Sequence, residues 1–154
     1  MDQILNYKNF EILGTKLSDQ QLRQKIRLLS VFGCGAAEVI YATNDDKVFG
    51  FGRNRYGGLG LGYADIEVKT PVLNTTLTNK QVSNVFFGFE HWLALTKSGQ
   101  CYAWGHNDFG QLGIDCTTPT ATPQLVKGLA HNMIVDISCG GFHTLALNSN
   151  GQVF

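Results

Sequence analysis

Proline is scarce in this chain, three residues in 154, and the charges cancel, with twelve Lys plus Arg against twelve Asp plus Glu. A balanced charge supplies no long-range field toward nucleic acid, an anionic membrane or a strongly charged partner. No apolar run approaches the roughly 18 residues needed to cross a bilayer. Charged and polar side chains interrupt the first 30 residues too often for the apolar core of a signal peptide. The expected location is therefore the cytoplasm, the nucleus or both, with no membrane and no direct nucleic-acid contact. Cysteine is sparse as well: none of the four forms a Cys-x-x-Cys pair, which removes the commonest zinc signature. What is abundant is glycine, with 18 residues, alongside 11% aromatics. That balance favours a turn-rich β protein over a helical bundle.

One stretch is written twice. Phe49-Gly50-Phe51-Gly52-Arg53-Asn54-Arg55-Tyr56-Gly57-Gly58-Leu59-Gly60 returns 53 residues later as Tyr102-Ala103-Trp104-Gly105-His106-Asn107-Asp108-Phe109-Gly110-Gln111-Leu112-Gly113. The match extends outward. Gly35, Gly88 and Gly140 correspond, Pro71 and Leu77 align with Pro123 and Leu129 at a spacing of 52, and Val82 and Val85 align with Ile134 and Ile137. The unit is thus about 52 residues, present in two near-complete copies and the opening of a third: 31–81, 82–133 and 134–154.

Within each unit the strands are short and the turns explicit. Val39 to Thr43, Asn44-Asp45-Asp46 and Lys47 to Phe51 predict a hairpin, repeated by Trp92 to Thr96, Lys97-Ser98-Gly99 and Gln100 to Trp104. A third begins near Thr144 and turns at Asn150-Gly151, a pair suited to the positive φ of a tight hairpin. Ahead of the repeats lies a segment 1–30 in which Ser18 and Gln21 form a capping box and Leu22, Ile26 and Leu29 form a stripe. These predict an amphipathic helix over about 18–30, with Arg23, Lys25 and Arg27 on its solvated face. A long period of short strands fits a four-stranded propeller blade. The expectation is an all-β partial propeller, two blades and the start of a third. Its open end leaves an apolar face and strand edges that favour self-association.

Position in the repeat decides most candidate chemistry. Cys34 and Cys139 are equivalent, with Phe87 between them, and Cys101 exchanges with Val48 and Val153. Such slots are core positions, where cysteine behaves as a small hydrophobe. His91 and His143 each stand three residues after a glycine, a placement that predicts a hydrogen-bonding role repeated blade by blade. The glycine run Gly57 to Gly62 lacks the Lys-Ser/Thr ending of a phosphate loop, and Gly57 and Gly60 recur as Gly110 and Gly113. Gly52 and Gly105 recur likewise, so these glycines read as bends in the frame, with Asn54 and Asn107 tying them by side chain to backbone bonds. No catalytic constellation, cofactor or metal site is expected.

The residues Cys139-Gly140-Gly141-Phe142-His143-Thr144 and Gly99 through Gly113 resemble the regulator of chromosome condensation repeat. Its units carry Cys/Ala-Gly-x-x-His-Ser/Thr, then Gly-x-Val/Leu-Tyr/Phe-x-Trp/Phe-Gly-x-Asn-x-x-Gly-Gln-Leu-Gly. The resemblance covers roughly 31–154 and implies a seven-bladed β-propeller, of which this chain would be an N-terminal part. The first unit departs from the pattern, with Glu38 for His91, Asp46 for Gly99 and Gly58 for Gln111. Its opening residues are similar to the subfamily that carries C-terminal BTB domains. That resemblance implies a non-enzymatic recognition scaffold within a cullin-ligase adaptor. Two other contexts stay open: a nucleotide exchange factor for the Ran GTPase, and the propeller of a large multidomain ubiquitin ligase. Protein partners and the remaining blades of the full chain are the expected contacts. The candidate partner-binding residues are those the copies do not share: Arg53, Arg55 and Tyr56, and His106, Asp108 and Phe109.

Overall fold

The computed structural model describes residues 24–33 and 38–154. Ten strands follow one another: β1 (Ile26–Phe32), β2 (Glu38–Thr43), β3 (Val48–Asn54), β4 (Asp65–Leu73), β5 (Val82–Phe87), β6 (His91–Thr96), β7 (Cys101–Gly105), β8 (Thr120–Leu125), β9 (Ile134–Cys139) and β10 (Thr144–Asn148). They form two four-stranded antiparallel meanders, β1-β2-β3-β4 and β5-β6-β7-β8, and a two-stranded sheet of β9 and β10. The third sheet starts to add its next strand: Ala146 and Phe154 exchange backbone hydrogen bonds of 3.0 and 2.9 Å, in the register that pairs Ala94 with Tyr102 one blade earlier.

The first strands of the sheets adjoin, β1 beside β5 and β5 beside β9. Blades that converge on an axis bring their innermost strands closest, so the chain is an arc of a propeller with β1, β5 and β9 toward its centre. The strands alternate as half-buried strands do. Ile40 and Ala42 of β2 face blade 2, in a core with Val48, Leu59, Leu77, Trp92 and Trp104, while Val39 and Tyr41 pack with Phe51 on the opposite face. A second inter-blade core joins Leu93, Leu95, Cys101, Leu112, Ile134 and Ile137. Every residue of β6 is buried, because β6 lies inside its sheet and has a blade on either side. Fully burying one of these large apolar side chains is worth about 1.5–3 kcal/mol.

The helix expected over 18–30 is corrected at its C-terminal half. Gln24 and Lys25 are helical, but the chain turns into β1 at Ile26 and pairs from Ile26↔Thr43 to Phe32↔Glu38. Residues 18–23 of that expectation lie outside the described residues. The stripe was ambiguous because a bulge between Ile26 and Leu28 shifts the alternation. Ile26, Leu29 and Val31 pack on one face and Leu28 and Phe32 on the other, so ladder pairing and two-sided burial override helical propensity. The first blade accordingly opens at Ile26 rather than at residue 31. Arg27 does not sit on a solvated helix face either. Its Nε donates to the Thr43 carbonyl at 3.1 Å and Nη1 to the Val82 carbonyl at 2.5 Å, and Nη2 pairs with Asp46, clamping blade 1 to the first residue of blade 2.

Candidate partner-recognition face

Antiparallel order sorts the connections between two ends. Loops β1–β2, β5–β6 and β9–β10 share one end with the long loops β3–β4 and β7–β8; the β2–β3 and β6–β7 turns and the passages between blades share the other. All six candidate partner-binding residues therefore lie at one end, within or next to the long loops.

Those loops are built on a common buried frame. Asn54 and Asn107 are both fully buried. The Asn54 Oδ1 accepts from the Leu59 amide at 3.1 Å and its Nδ2 donates to the Tyr63 carbonyl at 2.9 Å. Asn107 repeats the arrangement, accepting from Leu112 at 3.0 Å and donating to the Cys116 and Thr118 carbonyls at 2.7 and 3.2 Å. Each loop tip is thereby held to its base. Gly57 and Gly60, at φ +73° and +66°, correspond to Gly110 and Gly113 at +76° and +64°, and Gly52 and Gly105 both take +105°. Only at some of these does space matter too: a Cβ on Gly57 would come within 2.5 Å of the Ala121 Cβ. Gly35 lies outside the described residues.

The histidine motif joins blades. His91 is fully buried, its Nε2 3.1 Å from the Thr144 hydroxyl, which in turn donates to the Gln111 carbonyl at 2.9 Å. Desolvation pushes the His91 pKa down, against a smaller upward influence of the Phe89 backbone. Gly88 and Gly140 leave room for the two imidazoles, since a Cβ on either would meet the ring of His91 or His143 at 2.2 Å. His143 itself is exposed. Burial lifts the thiols of Cys101 and Cys139 to about 11, and Cys116 is free and exposed; Cys34 lies outside the described residues. Among the described residues no group of three His, Cys, Asp or Glu is placed to hold a metal, and no helix is long and apolar enough to cross a membrane.

On this frame the candidates divide into two groups. Arg53, Arg55 and Tyr56 line a cleft with Glu38 and Ile66. Burial raises the Glu38 pKa, partly offset by the Arg53 charge. Tyr56 also reaches a groove shared with His106, Pro119 and Ala121 of blade 2. In the second group, Gln111 organises the loop tip: its Nε2 donates to His106 Nδ1 at 2.9 Å, and its Oε1 accepts from the Phe109 amide at 3.1 Å. That leaves the His106 Nε2 proton for Asp108 Oδ2 at 3.1 Å. Phe109 then stands out to solvent, its ring centroid 5.0 Å from that of Phe142.

Sequence reasoning missed Phe89 and Phe142, which meet at 5.9 Å beside Phe109. Their signal was present, for they occupy the two variable positions between the glycine and the histidine of each unit, Gly88-Phe89-Glu90-His91 and Gly140-Gly141-Phe142-His143. It also missed Asn74, buried in a single blade, which donates to the Leu59 and Gly60 carbonyls at 3.2 and 2.9 Å and accepts from Leu77 at 3.0 Å. No repeat marks it, because Val126 stands at the equivalent place.

The regulator of chromosome condensation (RCC1) repeat matches residues 45–95 and 98–147, and a second form of that repeat matches 82–111. The chain belongs to this family. Rat HERC4, a probable E3 ubiquitin-protein ligase, is 37% identical over 138 residues, which is 90% of this chain and 12% of the relative. Human HERC2, an E3 ubiquitin-protein ligase, is 40% identical over 113 residues, 73% of this chain and 2% of the relative. The chain thus spans a small part of the curated relatives it matches. Among solved structures, yeast RCC1 (Prp20) bound to Kap60 superposes with a TM-score of 0.70 at 18% identity, covering 84% of this chain and 31% of the other. Human WBSCR16 superposes with 0.63 at 26% identity, covering 80% and 31%. Both solved structures share the fold of this chain.

Proposed function

We propose that this chain is a non-catalytic protein-recognition segment, in which a rigid repeated frame presents exposed loop residues to a protein partner in the cytoplasm or nucleus. The observation that carries this reading is the contrast within one motif. Asn54 and Asn107 are buried with near-identical bonds, while the neighbouring Arg53, Arg55, Tyr56, Asp108 and Phe109 are exposed and differ between blades. Exposed aromatics and charges on a stiff scaffold are the composition of binding hot spots. Of the full-length contexts, the similarity to HERC4 and HERC2 favours a ubiquitin ligase whose catalytic segment lies outside this chain and whose propeller selects what is bound. The BTB-containing adaptor and the Ran exchange factor are the competing contexts.

Cross-linking mass spectrometry on the full-length protein in cell extract tests the recognition reading. Cross-links from partner proteins should concentrate on the β3–β4 and β7–β8 loops and disappear when Arg55, Tyr56, Asp108 and Phe109 are changed to serine. Cross-links confined to the opposite end of the blades would overturn it. The ligase context is tested by the coding sequence beyond Phe154 and by ubiquitin transfer from the full-length protein. A BTB-coding continuation, or strong acceleration of nucleotide release from Ran, would replace it.

A further inference from the structure

Three aromatic side chains at the recognition end are exposed although they touch one another: Phe89 at 59%, Phe109 at 68% and Phe142 at 51%. Their rings form a chain, Phe89 to Phe142 to Phe109, that bridges the β5–β6, β9–β10 and β7–β8 loops. The bridge is made between blade 2 and the two-stranded start of blade 3. A contiguous apolar patch on a rigid frame marks a contact site.

The charges around the patch have one sign. Glu90 adjoins Phe89, Asp108 adjoins Phe109, and Asp115 follows in the same loop. No lysine or arginine occurs from Gln81 to Thr96, from Ser98 to Val126, or from Gly128 to Phe154. Lys97 and Lys127, the two cations of blades 2 and 3, sit on the β6–β7 turn and after β8, at the opposite end. Blade 1 differs, since its loop carries Arg53 and Arg55. The neutral total charge of the chain therefore conceals a recognition end that is acidic and aromatic over blade 2 and the β9–β10 loop.

Resting on the recognition reading above, we propose that the Phe89–Phe142–Phe109 patch binds a protein segment that presents a lysine or arginine beside an apolar side chain. The apolar side chain covers the rings. The cation is attracted both by the carboxylates of Asp108 and Glu90 and by the negative faces of the aromatics. An acidic segment is repelled at the same place. The Gln111, His106 and Asp108 bonds hold the loop in its presenting form before any partner arrives, which lowers the ordering cost of binding.

A random dodecapeptide library displayed on phage, selected against the full-length protein, tests this. Enriched peptides should carry net positive charge with at least one aliphatic or aromatic residue. A synthetic peptide of the winning sequence should lose about tenfold or more in affinity on the double substitution Phe109→Ser with Phe142→Ser. It should lose affinity on Asp108→Lys with Glu90→Lys, and not on Arg55→Glu. If the double serine variant melts early, Asp108→Lys alone, at a side chain 61% exposed, carries the decision. Enriched acidic peptides, or peptides lost only with Arg53, Arg55 and Tyr56 variants, overturn the patch while leaving the recognition reading intact. No enrichment of any peptide overturns both.

Discussion

Gly58 of blade 1 lies against Trp92 of blade 2 so closely that a Cβ on Gly58 would fall 2.4 Å from the indole Cζ2. One blade on, the same two positions are occupied by Gln111 and Thr144, with the Thr144 hydroxyl donating to the Gln111 carbonyl at 2.9 Å. The small residue has changed sides of the interface: glycine faces tryptophan in one pair, glutamine faces threonine in the next. The departure of the first unit from the family's glutamine is thus explained by its neighbour rather than by decay of a terminal repeat. Trp104 reinforces the contact from within blade 2, its Nε1 donating to the Gly58 carbonyl at 2.9 Å.

Gly58→Gln should destabilise the protein by about 1–3 kcal/mol, the usual cost of overpacking. Adding Trp92→Thr to it should cost less than the sum of the two single changes, because the pair then reproduces Gln111 and Thr144. Urea midpoints of the two single variants and the double variant provide the check. Strict additivity would show that the two sites are not coupled.

Asn107→Ala removes bonds to Leu112, Cys116 and Thr118 and strands the buried Leu112 amide. A loss of about 1–3 kcal/mol is expected, with faster hydrogen exchange at the Leu112 amide. Since Phe109 belongs to the loop that Asn107 ties, peptide binding at the aromatic patch should weaken as well. Exchange at Leu112 indistinguishable from the unaltered protein would contradict this.

Desolvation holds the folded-state pKa of His91 below its ordinary 6.5. The unfolded chain then binds the extra proton first, so the neutral imidazole contributes stability that is complete above about pH 6.5. That contribution declines as pH falls from 6.5 toward the folded value. Thermal melting between pH 5 and 7.5 should show a decline that flattens in His91→Gln relative to the unaltered protein. An identical pH profile in the two would rule out His91 as its source.

The outer face of blade 3 carries Leu145 and Val153, 48% and 64% exposed. The 154-residue chain purified alone should self-associate or open readily at that end. Sedimentation and hydrogen exchange should report oligomers and weak protection of β9 and β10. A monomer with one sharp cooperative transition would contradict this.

The repeat was legible because recurrence separates frame from variation without any coordinates. Asn54 with Asn107 and Gly57 with Gly110 could be read as frame simply from their return, whereas His143 returns the residue of His91 without its burial. Where a feature occurs once, that route closes. Asn74 and the Arg27 clamp have no echo, and the bulge of β1 gives a strand the apolar spacing of a helix. Recurrence also misdirects: treating only the residues within and just after each Gly-x-Asn as variable hid Phe89 and Phe142, which vary just as much between their glycine and histidine.

By itself the sequence determined the family, the period, the class of blade and the buried frame of each loop, because those depend on local turns and alternation that repeat within one unit. The tertiary structure decided which variable residues meet. The Phe89, Phe109 and Phe142 rings come from three loops of two blades, and the acidic rim around them stands out only when the lysines are seen to lie at the other end. The complementary sizes of Gly58 with Trp92 and Gln111 with Thr144 belong to interfaces between units, where packing couples residues that no local pattern places side by side.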